Sequence, residues 1–340
     1  MVAIVVAAVT IGYVSSRHPG TAPAPRTTRP SAGPTSTGPS HLVLFIVTSG
    51  REPFVALVGS RGERPPAIVV VPARLVLTLP GAGSGTVADA AAASGSLLAA
   101  SISNALGTWV GPQFVTDLSG LAGIVDATGG VSVDLVQPAE VSGQEIGPGP
   151  VSMDGREAST FLSDGVGLGP AGRWQEMLSA LFKNGLSLPP QDLARAVRPD
   201  AVRTVFATAR SPRVRELPAT PSEGRLLVPD DPAIRRALSS LFGVETKPPV
   251  DVVVLNGSGV PGVGETVASR LVPGGFRIAA SGNARGFDHQ VTEIVADTDR
   301  AKAQAQRVRR LLGVGTVVLG TGSSGLADIT IVVGRDFTAG

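Results

Sequence analysis

The side chains able to do chemistry are few and unevenly placed along these 340 residues. There is no cysteine, which removes disulfides, thiolate metal sites and thiol nucleophiles. The three histidines, His18, His41 and His289, are too scattered to form a ligand set. Carboxylates are concentrated instead. Between Leu75 and Gly172 stand Asp89, Asp117, Asp126, Asp134, Glu140, Glu145, Asp154, Glu157 and Asp164, against Arg156 as the only base. Asp117 and Asp126 fall on one predicted helix but face different directions, and no D-x-D-x-D loop occurs, so these acids read as solvated helix and loop carboxylates. Arg173 and Gln175 have the chemistry to contact a phosphate or a sugar, and equally that of a plain surface helix. Gly257, Gly259 and Gly262 spell G-x-G-x-x-G between a strand and a helix, a pattern that lets backbone approach a pyrophosphate. Pro261 sits inside that motif, and Phe276–Ala280 runs into SGNARG without the acid that confirms a dinucleotide site. The glycines therefore read as a tight β-to-α turn.

The elements that must position these groups follow from patterning. The stretch Asp117–Leu135 reads as a helix, a turn and a strand. Leu118, Leu121, Ile124 and Val125 share a helical face, with Asp117 or Ser119 available as N-cap. Gly129 and Gly130 stop the helix, and Val131, Val133 and Leu135 then alternate with Ser132 and Asp134. Before it, Leu42–Thr48, Val55–Val58 and Ala67–Pro72 are apolar strands of a meander, and Ala88–Leu106 is one or two helices. After it come helices over Asp154–Leu162 and Trp174–Phe182, then one over Val228–Phe242 with Asp231 as cap and Pro232 at its first position. Alternating strands and helices predict an α/β (α+β) domain over 41–243, a mixed sheet flanked by helices. A short linker, 244–249, precedes a second domain over 250–338 whose order reads βαββαββ.

The N-terminus carries different signals. Met1–Ser16 is almost wholly apolar, and as a helix it spans about 24 Å against roughly 30 Å of hydrocarbon. It reads as a transmembrane anchor or a truncated signal-anchor lacking its basic flank, with a cleaved signal peptide as the alternative. The Pro/Thr/Ser-rich stretch 17–40 has no apolar period and reads as an extended tether. Either reading of the first segment places the bulk of the chain outside the cytoplasm. The net charge of +2 gives little reason to expect nucleic acid as a partner.

The run GLAGIVDATGGVSVDL followed by MDGREAS, Met153–Ser159, resembles the LytR-CpsA-Psr domain with its "VDxxGGVxV" and "LdGxxAL" motifs. VVVLNGSGVPG, GGFRI, SGNARG, TEIVAD and DITIVVGRDF resemble the LytR C-terminal domain across its whole length. The first resemblance implies an extracytoplasmic phosphotransferase that moves a glycopolymer from a polyprenyl pyrophosphate carrier to peptidoglycan. That chemistry needs Mg²⁺ or Mn²⁺ held by carboxylates and arginines around the pyrophosphate. Most of those residues are missing. REPFVALV puts Pro53 where the family has an acid. The "PRDxYVxIPG" motif appears as PARLVLTLPG, with Ala73 for the arginine and Arg74 for the aspartate. "ALxYxRxR" becomes ASTFLSDG, with Ser163 and Gly165 for two arginines, and "RxxRQQ" becomes PAGRWQ, keeping Arg173 and Gln175 but not the first arginine, now Pro170.

A pyrophosphate brought to a segment with nine carboxylates and one arginine meets repulsion of roughly 1 kcal/mol per close like-charged pair even in water. The resemblance thus implies a fold kept while its catalytic apparatus is lost. The expected protein is a membrane-anchored, extracytoplasmic pseudoenzyme with no confident catalytic residue, Arg74, Arg173 and Gln175 being the residual candidates, and with no cofactor. Its expected partners are a cell-envelope glycopolymer, a polyprenyl-phosphate lipid or envelope proteins. Two alternatives stand beside it. One is an active phosphotransferase using Arg74, Arg173, an unrecognised acid and Mg²⁺ or Mn²⁺. The other is a nucleic-acid or nucleotide-binding regulator, which requires a cytoplasmic location.

Overall fold

The computed structural model describes residues 42–49, 52–59, 66–111, 113–141, 143–164, 167–183, 211–320 and 327–337. The expected anchor and tether lie outside them, and no helix among the described residues is long and apolar enough to cross a membrane. Strands β1 (Val43–Thr48), β2 (Phe54–Gly59) and β3 (Ala67–Val71) form the expected antiparallel meander. Their unbroken apolar runs are buried on both faces, as befits strands covered on both sides. Val43, Phe45 and Val47 enter one core, and Leu42, Leu44 and Ile46 enter the other.

A short hairpin that the sequence reading did not contain follows, β4 (Val76–Leu79) with β5 (Gly83–Thr86). The Ala-rich stretch then forms two helices, α1 (Val87–Ala93) and α2 (Gly95–Leu106). Thr86 and Asp89 make a reciprocal capping box on α1, and the two hydrogen bonds from Thr86 hold the Asp89 carboxyl below its usual range. Strand β6 (Gln113–Asp117) joins β1 in parallel and runs straight into α3 (Leu118–Ala127). Asp117 is the N-cap, accepting from the Gly120 amide at 2.7 Å.

Gly129 and Gly130, at φ 82° and 91°, turn the chain into β7 (Val131–Leu135). A small hairpin, β8 (Ala139–Val141) with β9 (Gln144–Ile146), leads to β10 (Gly149–Met153), which pairs antiparallel with β7. Helix α4 (Gly155–Asp164) follows, and α5 (Pro170–Leu181) begins four residues earlier than its apolar pattern implies, because Pro170 suits a first turn. Strand β11 (Arg213–Glu216) closes the sheet at the β3 edge, giving the order β11-β3-β2-β1-β6. Its exposed Arg213, Arg215 and Glu216 suit an edge. The hairpin of β12 (Ala219–Pro221) and β13 (Leu227–Pro229) takes up Val228, so the next helix, α6 (Asp231–Phe242), starts later than its sequence suggests. Its cap is Asp230 rather than Asp231. Asp231 is already helical, and the Asp230 carboxylate accepts from the Ala233 amide at 3.0 Å.

Helices α3, α4 and α5 cover one face of the sheet, and α1, α2 and α6 the other. The second sheet arises in the expected order: β14 (Val250–Asn256), α7 (Val263–Leu271), β15 (Phe276–Asn283), β16 (Glu293–Ala296), α8 (Lys302–Leu312), β17 (Thr316–Leu319) and β18 (Ile329–Val333). Its strand order is β15-β14-β18-β16-β17, with only β16 and β18 antiparallel. The two units are joined by contacts that need both. The Asn104 carboxamide on α2 donates to the Ile278 carbonyl at 2.9 Å and accepts from the Ile278 amide at 2.7 Å. It thus satisfies the open edge of β15 as a neighbouring strand would. Ser281 accepts from the Gly81 amide at 2.5 Å, and Arg277 bridges Asp251 of its own sheet to Asp231 of α6.

Candidate functional site

The carboxyl ends of β1, β3, β6 and β11 point the same way, because β6 and β11 are parallel to their neighbours. The start of antiparallel β2 lies at that end too. Open α/β sheets bind ligands in the crevice outside these strand ends. Here the crevice holds two adjoining pockets. The wide one has a volume of 580 Å³ and is lined by Ser49, Glu52, Phe54, Leu118, Leu162, Ser163, Asp164, Pro170 and Arg173. The narrow one, of 50 Å³, shares Glu52, Phe54 and Pro170 and adds Arg74, Trp174 and Glu216.

Arg173 lines the wide pocket, yet it is 7% exposed rather than a surface residue of α5. Its Nε and Nη2 donate to the Leu162 carbonyl at 3.2 and 3.0 Å, and Nη1 donates to the Leu168 carbonyl at 2.6 Å. Those carbonyls belong to the end of α4 and the chain leading into α5, so the guanidinium fastens the two helices together. Burial lowers its proton affinity, partly offset by the charges of Asp164 and Glu52. Arg74 is exposed at the rim of the narrow pocket and donates to the Arg225 carbonyl at 3.0 Å. Gln175 is half-buried on α5 and lines neither pocket. The structure thus brings Arg74 and Arg173 to one crevice and leaves Gln175 outside it.

Glu52 is an acid of the crevice that sequence reasoning did not single out. Aligning the loop placed Pro53 in the family's acidic position, whereas the residue before it lines both pockets. The only available signal was adjacency, since a turn before a strand shifts by one residue without disturbing the strand's pattern. Trp174 was missed as well. It packs against Phe45 and Phe54 with ring centroids 5.3 and 5.7 Å apart, and its buried indole N–H has no partner among the described residues. The narrow pocket beside it has room for a water or a ligand oxygen.

The sequence resemblance implies a divalent cation, and the described residues of the crevice do not fit one. Glu52 and Asp164 face the guanidinium of Arg173, so the positive charge that a metal would supply is already in place. Among the described residues no three Asp, Glu or His side chains converge closely enough to hold an ion. In the second unit, the G-x-G-x-x-G loop is a turn. The Asn256 side chain accepts from the Ser258 and Gly259 amides at 3.1 and 3.0 Å, and a Cβ on Gly257 would lie 2.8 Å from the His289 ring.

Residues 249–337 match the family model described as LytR cell envelope-related transcriptional attenuator. No curated protein matches the chain. Among solved structures, TagV of Bacillus subtilis aligns at 15% identity over 61% of this chain and 98% of its own, with a TM-score of 0.50. A LytR-Csp2A-Psr enzyme of Actinomyces oris aligns at 18% identity over 62% of this chain and 93% of its own, with a TM-score of 0.48. TagT (YwtF) of Bacillus subtilis, with bound octaprenyl pyrophosphate lipid, gives 18%, 60%, 91% and 0.48 in the same measures. At this identity the likeness to TagV is one of fold.

Proposed function

Since this chain joins a LytR-CpsA-Psr fold to a LytR C-terminal domain, we propose that it is a cell-envelope protein that binds or scaffolds glycopolymer or its polyprenyl carrier without transferring it. In this reading Met1–Ser16 anchors the chain, the 17–40 stretch spaces it from the membrane, and the folded part works outside the cytoplasm. One observation carries the loss of catalysis. Arg173, the buried arginine of the crevice, is engaged by the Leu162 and Leu168 carbonyls and faces Glu52 and Asp164. A guanidinium so engaged is not presented to a pyrophosphate, whose recognition calls for forked donors aimed at its oxygens. Arg74 alone, exposed at the rim, does not replace the missing pair. The apolar lining by Phe54, Leu118, Leu162 and Pro170 supports contact with a prenyl chain.

The reading is tested by equilibrium binding of a polyprenyl pyrophosphate with and without Mg²⁺ or Mn²⁺. The expected result is the same affinity in both, because among the described residues no three carboxylates converge on a place for a cation. A tenfold or larger gain on adding either cation contradicts it. That result is what the second reading, an active phosphotransferase, requires, and the position of Glu52 across both pockets is the observation that favours it.

A further inference from the structure

A second cavity lies where the two domains meet, and it differs in chemistry from the crevice already described. It has a volume of 330 Å³, and its walls come from both domains: the Pro80–Ala82 turn and Leu97 on one side, the β14–α7 loop, Glu265, Asn283 and Phe287 on the other. It stands outside the carboxyl ends of parallel β14 and β15. Strand β14 is flanked by β15 on one side and β18 on the other, so this is a point from which the sheet grows in two directions. Such points and domain junctions are where ligand cavities concentrate, typically at about 300–1,000 Å³.

The cavity is held open by rigid backbone. Asn256 staples the loop through its bonds to Ser258, Gly259 and the Val260 carbonyl. Gly264 abuts the Pro80–Gly81 turn so closely that a Cβ would lie 2.5 Å from Gly81 Cα. No lysine, arginine or histidine lines the cavity, and Glu265 sets a carboxylate in the first turn of α7, against a phosphate there. Glu265 instead presents a carboxylate with no hydrogen-bond donor or cation among the described residues, and its partial burial raises its proton affinity. Phe287, 47% exposed, offers an aromatic ring to the cavity beside Gly259.

We propose that this junction cavity binds one uncharged sugar residue of a glycan, its ring against Phe287 and its hydroxyls donating to Glu265 and Asn283. An aromatic face takes the C–H side of a sugar ring, while a carboxylate and an amide accept and donate to hydroxyls in fixed directions. The proposal goes beyond the reading of the crevice and does not depend on it.

The test is calorimetric titration of the full chain with chitotetraose, an uncharged glycan, and with poly(glycerol phosphate), an anionic one. Saturable binding of chitotetraose is expected, weakened at least tenfold in both Phe287→Ala and Glu265→Ala, while circular dichroism and thermal unfolding confirm that both variants are folded. Glu265→Gln, which keeps an acceptor, is expected to lose less than Glu265→Ala. Absence of chitotetraose binding, preference for the anionic polymer, or binding unchanged in Phe287→Ala would each overturn the assignment. None of these outcomes bears on the polyprenyl pyrophosphate experiment, so the two readings fail separately.

Discussion

Arg173→Ala is expected to destabilise the first domain by about 3 kcal/mol, lowering its melting temperature by roughly 6–12 °C. The side chain donates three hydrogen bonds to two carbonyls, the buried one of Leu162 and the half-buried one of Leu168, and leaving a buried acceptor unsatisfied costs about 1–3 kcal/mol. Removing it also leaves Glu52 and Asp164 without the positive charge between them. Arg173→Lys is expected to recover less than half of the loss, because an ammonium lacks the planar fork that reaches two carbonyls at once. Arg74→Ala is the contrast. Arg74 is exposed and donates to the Arg225 carbonyl, so its loss falls within about 0.5 kcal/mol. Thermal unfolding of the three variants checks this. An Arg173→Ala protein as stable as the parent would mean that the guanidinium is held for a ligand rather than for the fold.

The second large effect is expected at Gly155, the first residue of α4. A Cβ there would lie 2.7 Å from both the Ala122 carbonyl carbon and Asp126 Oδ2, and would overlap the Ala122 carbonyl oxygen outright. These neighbours are backbone and a short side chain, so α3 and α4 must move apart. That movement strains the bond from the Gly155 amide to Asp126 Oδ1, now 2.7 Å. Overpacking of this kind costs about 1–3 kcal/mol and the strained charged hydrogen bond about 1.5–3, against a helix-propensity gain of about 1 for alanine over glycine. Gly155→Ala is therefore expected to lose about 2–4 kcal/mol in denaturant unfolding. Gly123→Ala, on α3 where a Cβ meets nothing within 4 Å, gains up to about 1. If the two alanines behave alike, the close approach of the helices is not a constraint.

Gly155 also explains why the resemblance was legible in the sequence. MDGREAS is a structural phrase. Asp154 and Glu157 cap α4 reciprocally at 2.8 and 2.9 Å, Gly155 allows the contact with α3, and Ser159 donates to the Leu118 carbonyl at 3.0 Å. The preceding VDATGGV supplies Asp126 for that contact and the two left-handed glycines that open β7. Caps, glycines and alternation act over a few residues, so they survive in sequence as words. The βαββαββ order of the second domain was legible for the same reason, from buried strands such as Val250–Asn256 and helices ended by left-handed glycines such as Gly313.

What was hidden depends on distant partners. Arg173 looks like any helix-surface arginine until the chain between α4 and α5 folds back to place the Leu162 and Leu168 carbonyls around it. Strand β11, RVRE, carries no apolar alternation, since it is an edge whose partner β3 lies far away in sequence. The β4–β5 hairpin reads as loop because GSGT has no apolar face, yet its turn meets the second domain through the Gly81 amide and Ser281. Of the junction cavity the sequence showed one wall only, the turn with Gly259, Pro261 and Gly262, since the facing wall comes from the Pro80–Ala82 turn of the other domain. The charge census between Leu75 and Gly172 describes the segment rather than the site, since of its nine carboxylates only Asp164 lines the crevice, whose other charged residues, Glu52, Arg74, Arg173 and Glu216, lie outside that stretch.

The central claim is that the crevice no longer transfers a phosphoryl group. Its most direct test is phosphate release from a polyprenyl pyrophosphate-linked glycan by the purified protein in Mg²⁺ or Mn²⁺. Release no faster than in the protein-free control is expected with either cation. Cation-dependent release that vanishes in Glu52→Gln would contradict it and make Glu52 the acid of a working enzyme.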